Sequence, residues 1–300
     1  MGPDRSLRLR RQLAIAADPV VGFVAAPDGV PLCVAEGGNP QGPPLVFIHG
    51  YSQTYAVFKR QFESELARDF RLLAPDLRGH GCSGKPWTES AYAGAGPWAG
   101  DIATVLRAKA VTRPLLVGWS AGGYWIADYV REYGADGLAG ILLAGSHGGL
   151  MPAAINPAIP EASKAIRAAN QGYPPDIAEA LKRGEQFVPL MSARPLADDM
   201  TRIMYAGTLM LPAYARRAMA TRTMENADLA PRLRLPVLFV LGDQDRSATP
   251  EQMRALAALL PDARLSLYPG TGHATFAEQP ERFNRELAEF AARVRPGRQP

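Results

Sequence analysis

Hydrophobic residues follow two alternating patterns along this chain. Short runs rich in Val, Leu and Ile, such as residues 44–49, 114–119 and 236–242, alternate with longer segments whose apolar residues recur three and four positions apart. The short runs predict buried strands, and the longer segments predict amphipathic helices. Strands that alternate with helices are typical of a mostly parallel sheet covered by helices on both faces.

The pattern predicts eight strands and five helices in one α/β domain. The predicted strands are Val20–Val24, Pro31–Glu36, Pro44–His49, Phe70–Pro75, Pro114–Trp119, Leu138–Ala144, Pro236–Gly242 and Arg264–Tyr268. The predicted helices are Thr54–Arg68, Pro97–Lys109, Ala121–Tyr133, Pro250–Leu260 and Ala274–Val294. The first two strands precede any helix and flank Pro27-Asp28-Gly29, which predicts an antiparallel hairpin at the edge of the sheet.

The alternation is interrupted between residues 147 and 228, where prolines separate short helical segments such as 161–170 and 195–206. An inserted helical segment cannot join the sheet, so we expect it to cover the ends of the strands. The predicted organisation is a flexible leader at residues 1–18, an α/β core at 19–146 and 229–295, and a helical cap at 147–228.

The composition excludes several classes of protein. A hydrophobic content of 47% in 300 residues is too high for a disordered chain. No apolar run reaches the roughly 18 residues that a membrane helix requires. The net charge of +4 is not arranged in the basic stripe that nucleic-acid binding requires. We therefore expect a soluble protein with neither a nucleic-acid nor a membrane partner.

The two cysteines, Cys33 and Cys82, are far apart in the sequence, one in a predicted strand and the other in a Gly-rich loop. This separation predicts neither a disulfide framework nor a zinc site. A reducing, cytoplasmic compartment is the resulting expectation. The sequence also contains no phosphate-binding glycine run and no metal-ligand spacing, so neither a cofactor nor a metal is expected.

The strongest chemical signal lies where a predicted strand runs directly into a predicted helix through Gly118-x-Ser120-x-Gly122. Such a turn is tight, and it lifts the serine hydroxyl clear of the backbone at the positive end of the helix. Ser120 is therefore the predicted nucleophile. The backbone N–H groups of Ala121 and of Tyr51, in the loop after the third strand, are the predicted oxyanion donors.

A serine nucleophile requires a base, and the sequence offers His49, His80, His147 and His273. We favour His273, because Gly270 to Gly272 let its loop reach over the strand ends and because His147 lacks a strand-end carboxylate between it and the serine. The third group is a carboxylate that orients the imidazole. The loop after the seventh strand offers Asp243 and Asp245. The loop needs a few residues to turn back toward His273, which favours Asp245, but spacing alone does not decide between them.

Taken together, these motifs resemble the α/β-hydrolase superfamily over nearly the whole chain. The matching residues are the serine turn, His49-Gly50, the loop Asp76–Gly84, Gly242-x-x-Asp245 and Gly272-His273 followed by Glu278-Gln279-Pro280-Glu281. The resemblance implies an eight-stranded sheet with a helical cap after strand 6, and the triad Ser120, Asp245 and His273. It is closest to the esterase and non-heme chloroperoxidase-like branch. Dehalogenases and epoxide hydrolases of the superfamily carry Asp where Ser120 stands.

The predicted activity is hydrolysis of small to medium apolar carboxylic esters, or of lactones, through an acyl-enzyme. A perhydrolase that uses hydrogen peroxide at the same triad, and a weakly catalytic ligand-binding receptor, are the alternatives. The predicted substrate pocket contains Trp119, His147, Met204 and Met210. Methionines are concentrated in the predicted cap, where they either line an adaptable pocket or pack the cap onto the core. The sequence leaves the choice between a monomer and a homodimer open.

Overall fold

Eight strands form one sheet in the computed structural model, which describes residues 18–155, 176–220, 222 and 224–294. The strands are β1 (Val20–Ala25), β2 (Pro31–Gly38), β3 (Pro44–Ile48), β4 (Arg71–Pro75), β5 (Leu115–Trp119), β6 (Gly140–Ala144), β7 (Val237–Gly242) and β8 (Ala263–Tyr268). Their order is β1-β2-β4-β3-β5-β6-β7-β8. β2 pairs antiparallel with β1 and β4, and all other pairs are parallel. The predicted sheet and its edge hairpin are confirmed.

Helices cover both faces of this sheet. The α-helices of the described residues are α1 (Lys59–Phe62), α2 (Leu66–Asp69), α3 (Gly96–Ala108), α4 (Ala121–Tyr133), α5 (Ile177–Phe187), α6 (Asp198–Met210), α7 (Ala213–Ala220), α8 (Pro250–Leu259), α9 (Thr275–Glu278) and α10 (Pro280–Arg293). None of these helices is long and apolar enough to cross a membrane.

Successive residues of the central strands enter two different cores. In β7, Val237, Phe239 and Leu241 belong to one hydrophobic cluster, whereas Leu238 and Val240 belong to the other. Helices α3, α4 and α8 complete the first cluster, and α1, α2 and α10 complete the second. The strands are therefore apolar at every position, which explains the continuous hydrophobic runs in the sequence.

Two of the predicted helices are interrupted. The segment predicted as one helix over Thr54–Arg68 forms a 3₁₀ turn at Tyr55–Phe58, then α1 and α2. Ser64 causes the break, because its Oγ donates to the carbonyl of Gln61 (2.8 Å) and accepts from the N–H of Leu66 (3.2 Å).

The helix predicted over Ala274–Val294 divides into α9 and α10. Pro280 stands at the first position of α10. A proline has no N–H to donate to the preceding turn, but its fixed φ suits the start of a helix. The prediction of one continuous helix was therefore wrong at this position.

The described residues between β6 and β7 form helices and no strand. The segment predicted as helical over 195–206 is observed as α6, and the segment predicted over 161–170 lies outside the described residues. Helix α6 packs against the loop after β3, where the amide of Gln53 donates to the carbonyl of Met204 and to Oγ1 of Thr208, both at 3.3 Å. The chain after β6 thus returns over the carboxyl ends of the strands.

Cys33 and Cys82 lie close together in the fold, so their separation in the sequence was not a valid reason to predict that no disulfide or metal site could be built from them. Their Sγ atoms and a carboxylate oxygen of Asp76 all lie within 4.8 Å of one another. The reason is that β2 pairs with β4, and the loop after β4 turns back along β2, where the N–H of Gly84 donates to the carbonyl of Pro31 (2.7 Å).

Candidate active site

Ser120 occupies a strained turn between β5 and α4. Its backbone has φ 53° and ψ −119°, a left-handed φ that non-glycine residues seldom adopt. A serine at the N-cap of a helix commonly accepts a hydrogen bond from the first turn, but the hydroxyl of Ser120 makes no such bond. The surrounding structure therefore holds Ser120 in a strained conformation while its Oγ stays available for other chemistry.

The residues around Ser120 leave no room for larger side chains. A Cβ added to Gly122 would lie 2.2 Å from the carbonyl oxygen of Ile48, and one added to Gly118 would lie 2.8 Å from the backbone of Gly122. The glycines on either side of the serine are thus required by the close approach of β3, β5 and the start of α4. This packing gives the Gly-x-Ser-x-Gly spacing its physical basis.

His273 forms a buried pair with Asp245. Nδ1 of the imidazole lies 3.0 Å from both carboxylate oxygens, and Oδ1 also accepts from the N–H and the hydroxyl of Ser247, each at 2.8 Å. Because a carboxylate only accepts hydrogen bonds, Nδ1 carries the proton and Nε2 presents a lone pair. This is the tautomer that a histidine base requires.

Burial and the charge of the partner shift the pKa of each residue of this pair in opposite directions. Burial by itself lowers the pKa of His273, but the adjacent Asp245 carboxylate outweighs it and raises that pKa above its ordinary value. Burial also acts to raise the pKa of Asp245, and the charge and hydrogen bonds of His273 and Ser247 reverse this, so that the pKa is lowered. Asp245 therefore remains a carboxylate beside the imidazole.

Three contacts bring the serine turn and the His273–Asp245 pair to the same edge of the sheet. The N–H of Ser120 donates to the carbonyl of Ala144 (3.0 Å), at the end of β6. A Cβ on the next residue, Gly145, would lie 2.9 Å from Nδ1 of His273 and 3.1 Å from Oδ2 of Asp245. The indole N–H of Trp119 donates to the carbonyl of His273 (3.1 Å).

Ser120 and His273 are not hydrogen-bonded to each other in this structure, since Oγ of Ser120 has no hydrogen-bond partner among the described residues. Active-site hydrogen bonds commonly shorten only when a ligand is bound.

The two amides predicted as oxyanion donors belong to segments that adjoin Ser120. Ala121 follows the serine directly as the first residue of α4. The loop that carries Tyr51 approaches from β3, since a Cβ added to Gly50 would lie 3.2 Å from Cβ of Ser120. The side chain of Tyr51 is held by Arg216, whose guanidinium lies 5.5 Å from the centre of the tyrosine ring.

His49 holds the Tyr51 loop in position. Its Nδ1 donates to the carbonyl of Gly50 (2.8 Å), and its Nε2 accepts from the N–H of Leu77 (3.1 Å). Burial lowers the pKa of His49, so the ring is neutral and can donate at one nitrogen while it accepts at the other. The histidine connects the loops after β3 and β4.

The two carboxylates after β7 have different surroundings. Asp243 accepts from the N–H of Gly270 (2.8 Å), so it braces the loop that leads to His273. Asp245, by contrast, contacts the imidazole itself. The alternative that spacing left open is thus resolved geometrically, since only Asp245 of the two is paired with His273.

Glu278 braces the other side of the His273 loop. Its carboxylate accepts from the N–H groups of Gly272 (2.8 Å) and Ala193 (2.9 Å), so it joins this loop to the segment before α6. Its charge also contributes to the raised pKa of His273. Sequence reasoning noted Glu278 only as part of a motif, because nothing in the spacing shows that its partners are backbone amides.

His147 lies in the loop after β6 and has a neutral partner. Its Nε2 is 2.9 Å from the hydroxyl of Tyr124, and its buried Nδ1 has no hydrogen-bond partner among the described residues. Burial lowers the pKa of His147 to about 4, although the charge of Asp245 acts in the opposite direction. Tyr124 stands one helical turn after Ser120, so this pair lies on the serine side of α4.

The other residues predicted to line a pocket are placed differently from one another. Trp119 is buried between His273 and Phe276, where its indole supports the histidine loop. Met204 is fully buried in the cluster that contains α1, α2 and α10. Met210, six residues further along α6, is 37% exposed. Positions six apart lie on different faces of a helix, so the structure does not bring these two methionines together.

Comparison with known proteins agrees with this geometry. The profile of the alpha/beta hydrolase family matches residues 45–286. An esterase from a Rhodococcus species has 30% sequence identity and a TM-score of 0.81, over 92% of this chain and 99% of that one. A non-heme chloroperoxidase from Kitasatospora aureofaciens is 28% identical over 88% of this chain and 96% of its own. A bifunctional esterase/perhydrolase from Acinetobacter calcoaceticus is 24% identical, over 90% and 99%.

A serine turn beside a buried histidine–carboxylate pair, at the carboxyl edge of a mostly parallel sheet, defines a hydrolase of the α/β class. This chain belongs to the alpha/beta hydrolase family. Within that family it is esterase-like, with haloperoxidase and perhydrolase relatives. The expected resemblance and the fold that it implied are therefore confirmed.

Proposed function

We propose that this protein is a serine carboxylesterase that uses Ser120, His273 and Asp245. The observation that carries the proposal is the buried His273–Asp245 pair, joined through Trp119 and Gly145 to the strained turn of Ser120. A raised imidazole pKa and a deprotonated carboxylate are the properties that a general base and its orienting group need.

In the proposed acylation, Oγ of Ser120 attacks the carbonyl carbon of the ester while Nε2 of His273 takes the hydroxyl proton. The oxyanion that develops accepts from the N–H groups of Ala121 and Tyr51. The carbon–oxygen bond of the alcohol then breaks, and His273 returns the proton to the leaving oxygen. A water molecule repeats the sequence on the acyl-enzyme and releases the carboxylic acid.

Small to medium apolar esters are the proposed substrates, and lactones undergo the same chemistry when the leaving alcohol belongs to the acyl group. Helix α6, which lies between β6 and β7 in the chain, packs against the loop after β3 through the bond from Gln53 to Met204, and this supports the assignment of residues 147–228 as a cap. Of the four predicted pocket residues, we assign only His147 to substrate contact, because it lies beside Tyr124 on the serine side of α4. Trp119 supports the His273 loop, and Met204 and Met210 lie on different faces of α6. None of these steps requires a cofactor.

A second activity has support from one relative, the esterase/perhydrolase of Acinetobacter calcoaceticus. In a perhydrolase, hydrogen peroxide replaces water in deacylation and the product is a peracid. The nucleophile, base and oxyanion donors are the same in both reactions. The difference therefore lies in how the site admits peroxide relative to water.

A panel of p-nitrophenyl esters and lactones, assayed with the full-length protein, tests the proposal. We expect hydrolysis of short to medium esters, and no hydrolysis above background by a Ser120→Ala control. The same acyl donors with added hydrogen peroxide measure peracid formation. Turnover of no ester and no lactone in the panel, with no peracid formed, would contradict the proposed function and favour a ligand-binding role.

A further inference from the structure

Cys33 and Cys82 form a thiol pair that the ester chemistry does not use. Cys33 is fully buried in β2, and Cys82 is exposed in the loop after β4. Their Sγ atoms lie within 4.8 Å of each other. A disulfide requires a separation of about 2.05 Å. Rotation of one cysteine about its Cα–Cβ bond moves its sulfur by about 3 Å, which is enough to close this gap.

The backbone fixes the two residues relative to each other. The N–H of Asp76 donates to the carbonyl of Cys33 (2.9 Å), and the N–H of Cys33 donates to Oγ of Ser83 (2.8 Å). The N–H of Cys82 donates to Oδ2 of Asp76 (2.8 Å). Because these bonds surround both cysteines, the proximity of the sulfurs is a property of the folded loop and not of two freely moving side chains.

The two thiols differ in their readiness to react. Burial, followed by the charge of Asp76, raises the pKa of Cys33 to about 12, so this thiol stays protonated. Cys82 is exposed, and the ammonium of Lys85 donates to the carbonyls of the residues on either side of it, Gly81 (2.6 Å) and Ser83 (3.0 Å). An exposed cysteine beside a positive charge is the kind that reacts first with oxidants.

We propose that Cys33 and Cys82 are a site of reversible oxidation, at which a peroxide converts the two thiols into an intramolecular disulfide. The Cys82 thiolate attacks one peroxide oxygen and the O–O bond breaks. The attacked oxygen stays on sulfur as a sulfenic acid, and the other oxygen leaves as hydroxide, which the original thiol proton of Cys82 converts to water. The sulfur of Cys33 then attacks that of Cys82, and the displaced hydroxide leaves as water with the thiol proton of Cys33. The sum is two thiols and one peroxide converted into one disulfide and two waters.

The first step favours the second. The negative charge of a Cys82 thiolate is one of the causes of the raised pKa of Cys33. A sulfenic acid is neutral, so oxidation of Cys82 removes that cause, and the oxidised sulfur of Cys82 becomes the electrophile that Cys33 attacks. Cys82 is thus the cysteine that reacts with the oxidant, and Cys33 is the resolving cysteine that converts the sulfenic acid into a disulfide. The resulting bond ties the loop at residues 76–84 to β2.

Peptide mapping by mass spectrometry tests this site on the reduced, full-length protein. After treatment with hydrogen peroxide we expect loss of both thiols, one cross-linked peptide pair containing Cys33 and Cys82, and recovery of both thiols with dithiothreitol. In Cys33→Ser, Cys82 should remain a sulfenic acid that dimedone traps. In Cys82→Ser, the buried Cys33 should stay unmodified at the same dose. Cys33→Ala replaces the serine variant if that variant does not fold.

The same reaction in concentrated urea is the control for geometry. If the fold holds the sulfurs together, the intramolecular disulfide forms at least several-fold faster in the native protein than in the unfolded chain. Disulfide-linked dimers through Cys82, a native rate no higher than the rate in urea, or oxidation of Cys82 with Cys33 still free would each overturn the proposal. Esterase activity does not enter this readout, so the result is independent of the proposed function.

Discussion

His273 and His147 follow parallel strands at the same edge of the sheet, and both lie within the field of Asp245, yet their acid–base properties are opposite. His273 is paired with the carboxylate, and its pKa is raised above the ordinary value despite burial. His147 is paired with the hydroxyl of Tyr124, and burial lowers its pKa to about 4. The identity of the partner, and not the position on the sheet, determines which histidine can act as a base.

The comparison gives the two residues different roles. A base that is to take a proton from a serine needs a partner that stabilises its charged form, which Asp245 provides for His273. With a pKa of about 4, His147 is neutral across the ordinary working range of an enzyme, so it can donate or accept a hydrogen bond but is a weak base. We therefore assign His147 to substrate contact and His273 to proton transfer.

The strongest test of these two roles removes the Ser120 hydroxyl, from which His273 is proposed to take a proton. Ser120→Ala should lower ester turnover by about 10⁴-fold or more, because no other nucleophile remains. The Tm should stay nearly unchanged, since the hydroxyl makes no hydrogen bond with the described residues. Initial rates and a thermal melt check both parts. Activity retained by a clean preparation would place the nucleophile elsewhere.

The second prediction makes the surroundings of His273 more like those of His147. Asp245→Asn replaces the carboxylate with a neutral amide and should lower kcat by about 10³- to 10⁴-fold. Asp243→Asn is the matched control on the same loop, and it should cost far less because Asp243 faces the N–H of Gly270. Steady-state kinetics of the two variants give the ranking, and the reverse order would transfer the orienting role to Asp243.

The pH profile distinguishes the two histidines without mutation. Only neutral His273 accepts the serine proton, so kcat/KM should rise about tenfold per pH unit below its pKa and reach a plateau above it. Because that pKa is raised, the inflection should lie above the ordinary value for histidine. An inflection near pH 4 would instead point to His147, whose pKa is about 4.

The smallest expected effect concerns the methionines of the proposed cap. If they line an adaptable pocket, each added methylene of the acyl chain should improve kcat/KM by roughly fourfold until the pocket is full, at about 0.8 kcal/mol per buried methylene. Met210→Ala, at the partly exposed position, should then move the optimum toward longer chains, whereas Met204→Ala removes a fully buried side chain and should mainly lower the Tm. Rates over a series of p-nitrophenyl esters give this profile. Variants that keep the parent profile would make the methionines packing residues.

Much of the site could be predicted because its chemistry depends on local sequence. Ser120 stands in a strand–turn–helix whose glycines have no room for side chains, and that requirement is readable as Gly-x-Ser-x-Gly. The central strands β3, β5, β6 and β7 were predictable for a similar reason, since burial on both faces makes them continuously apolar. Asp245 could be separated from Asp243 only by resemblance, because both follow the same strand within three residues.

The remaining features depend on contacts between distant segments. Glu278 accepts from the backbone N–H groups of Gly272 and Ala193. Every residue except proline has such a donor, so the residue types in the sequence do not reveal these contacts. The approach of Cys33 to Cys82 results from the pairing of β2 with β4, which sequence distance conceals. The break after α1 depends on a single hydroxyl, that of Ser64, within an otherwise helical pattern.

The most direct test of the account is the rate at which a fluorophosphonate labels Ser120, measured by mass spectrometry in His273→Gln and His147→Gln variants. The account predicts one adduct, on the peptide that contains Ser120, formed at least about 10²-fold more slowly in His273→Gln than in the parent and within a few-fold of the parent rate in His147→Gln. Labelling that depends on His147 and not on His273, or an adduct on another residue, would contradict the assignment of base and nucleophile.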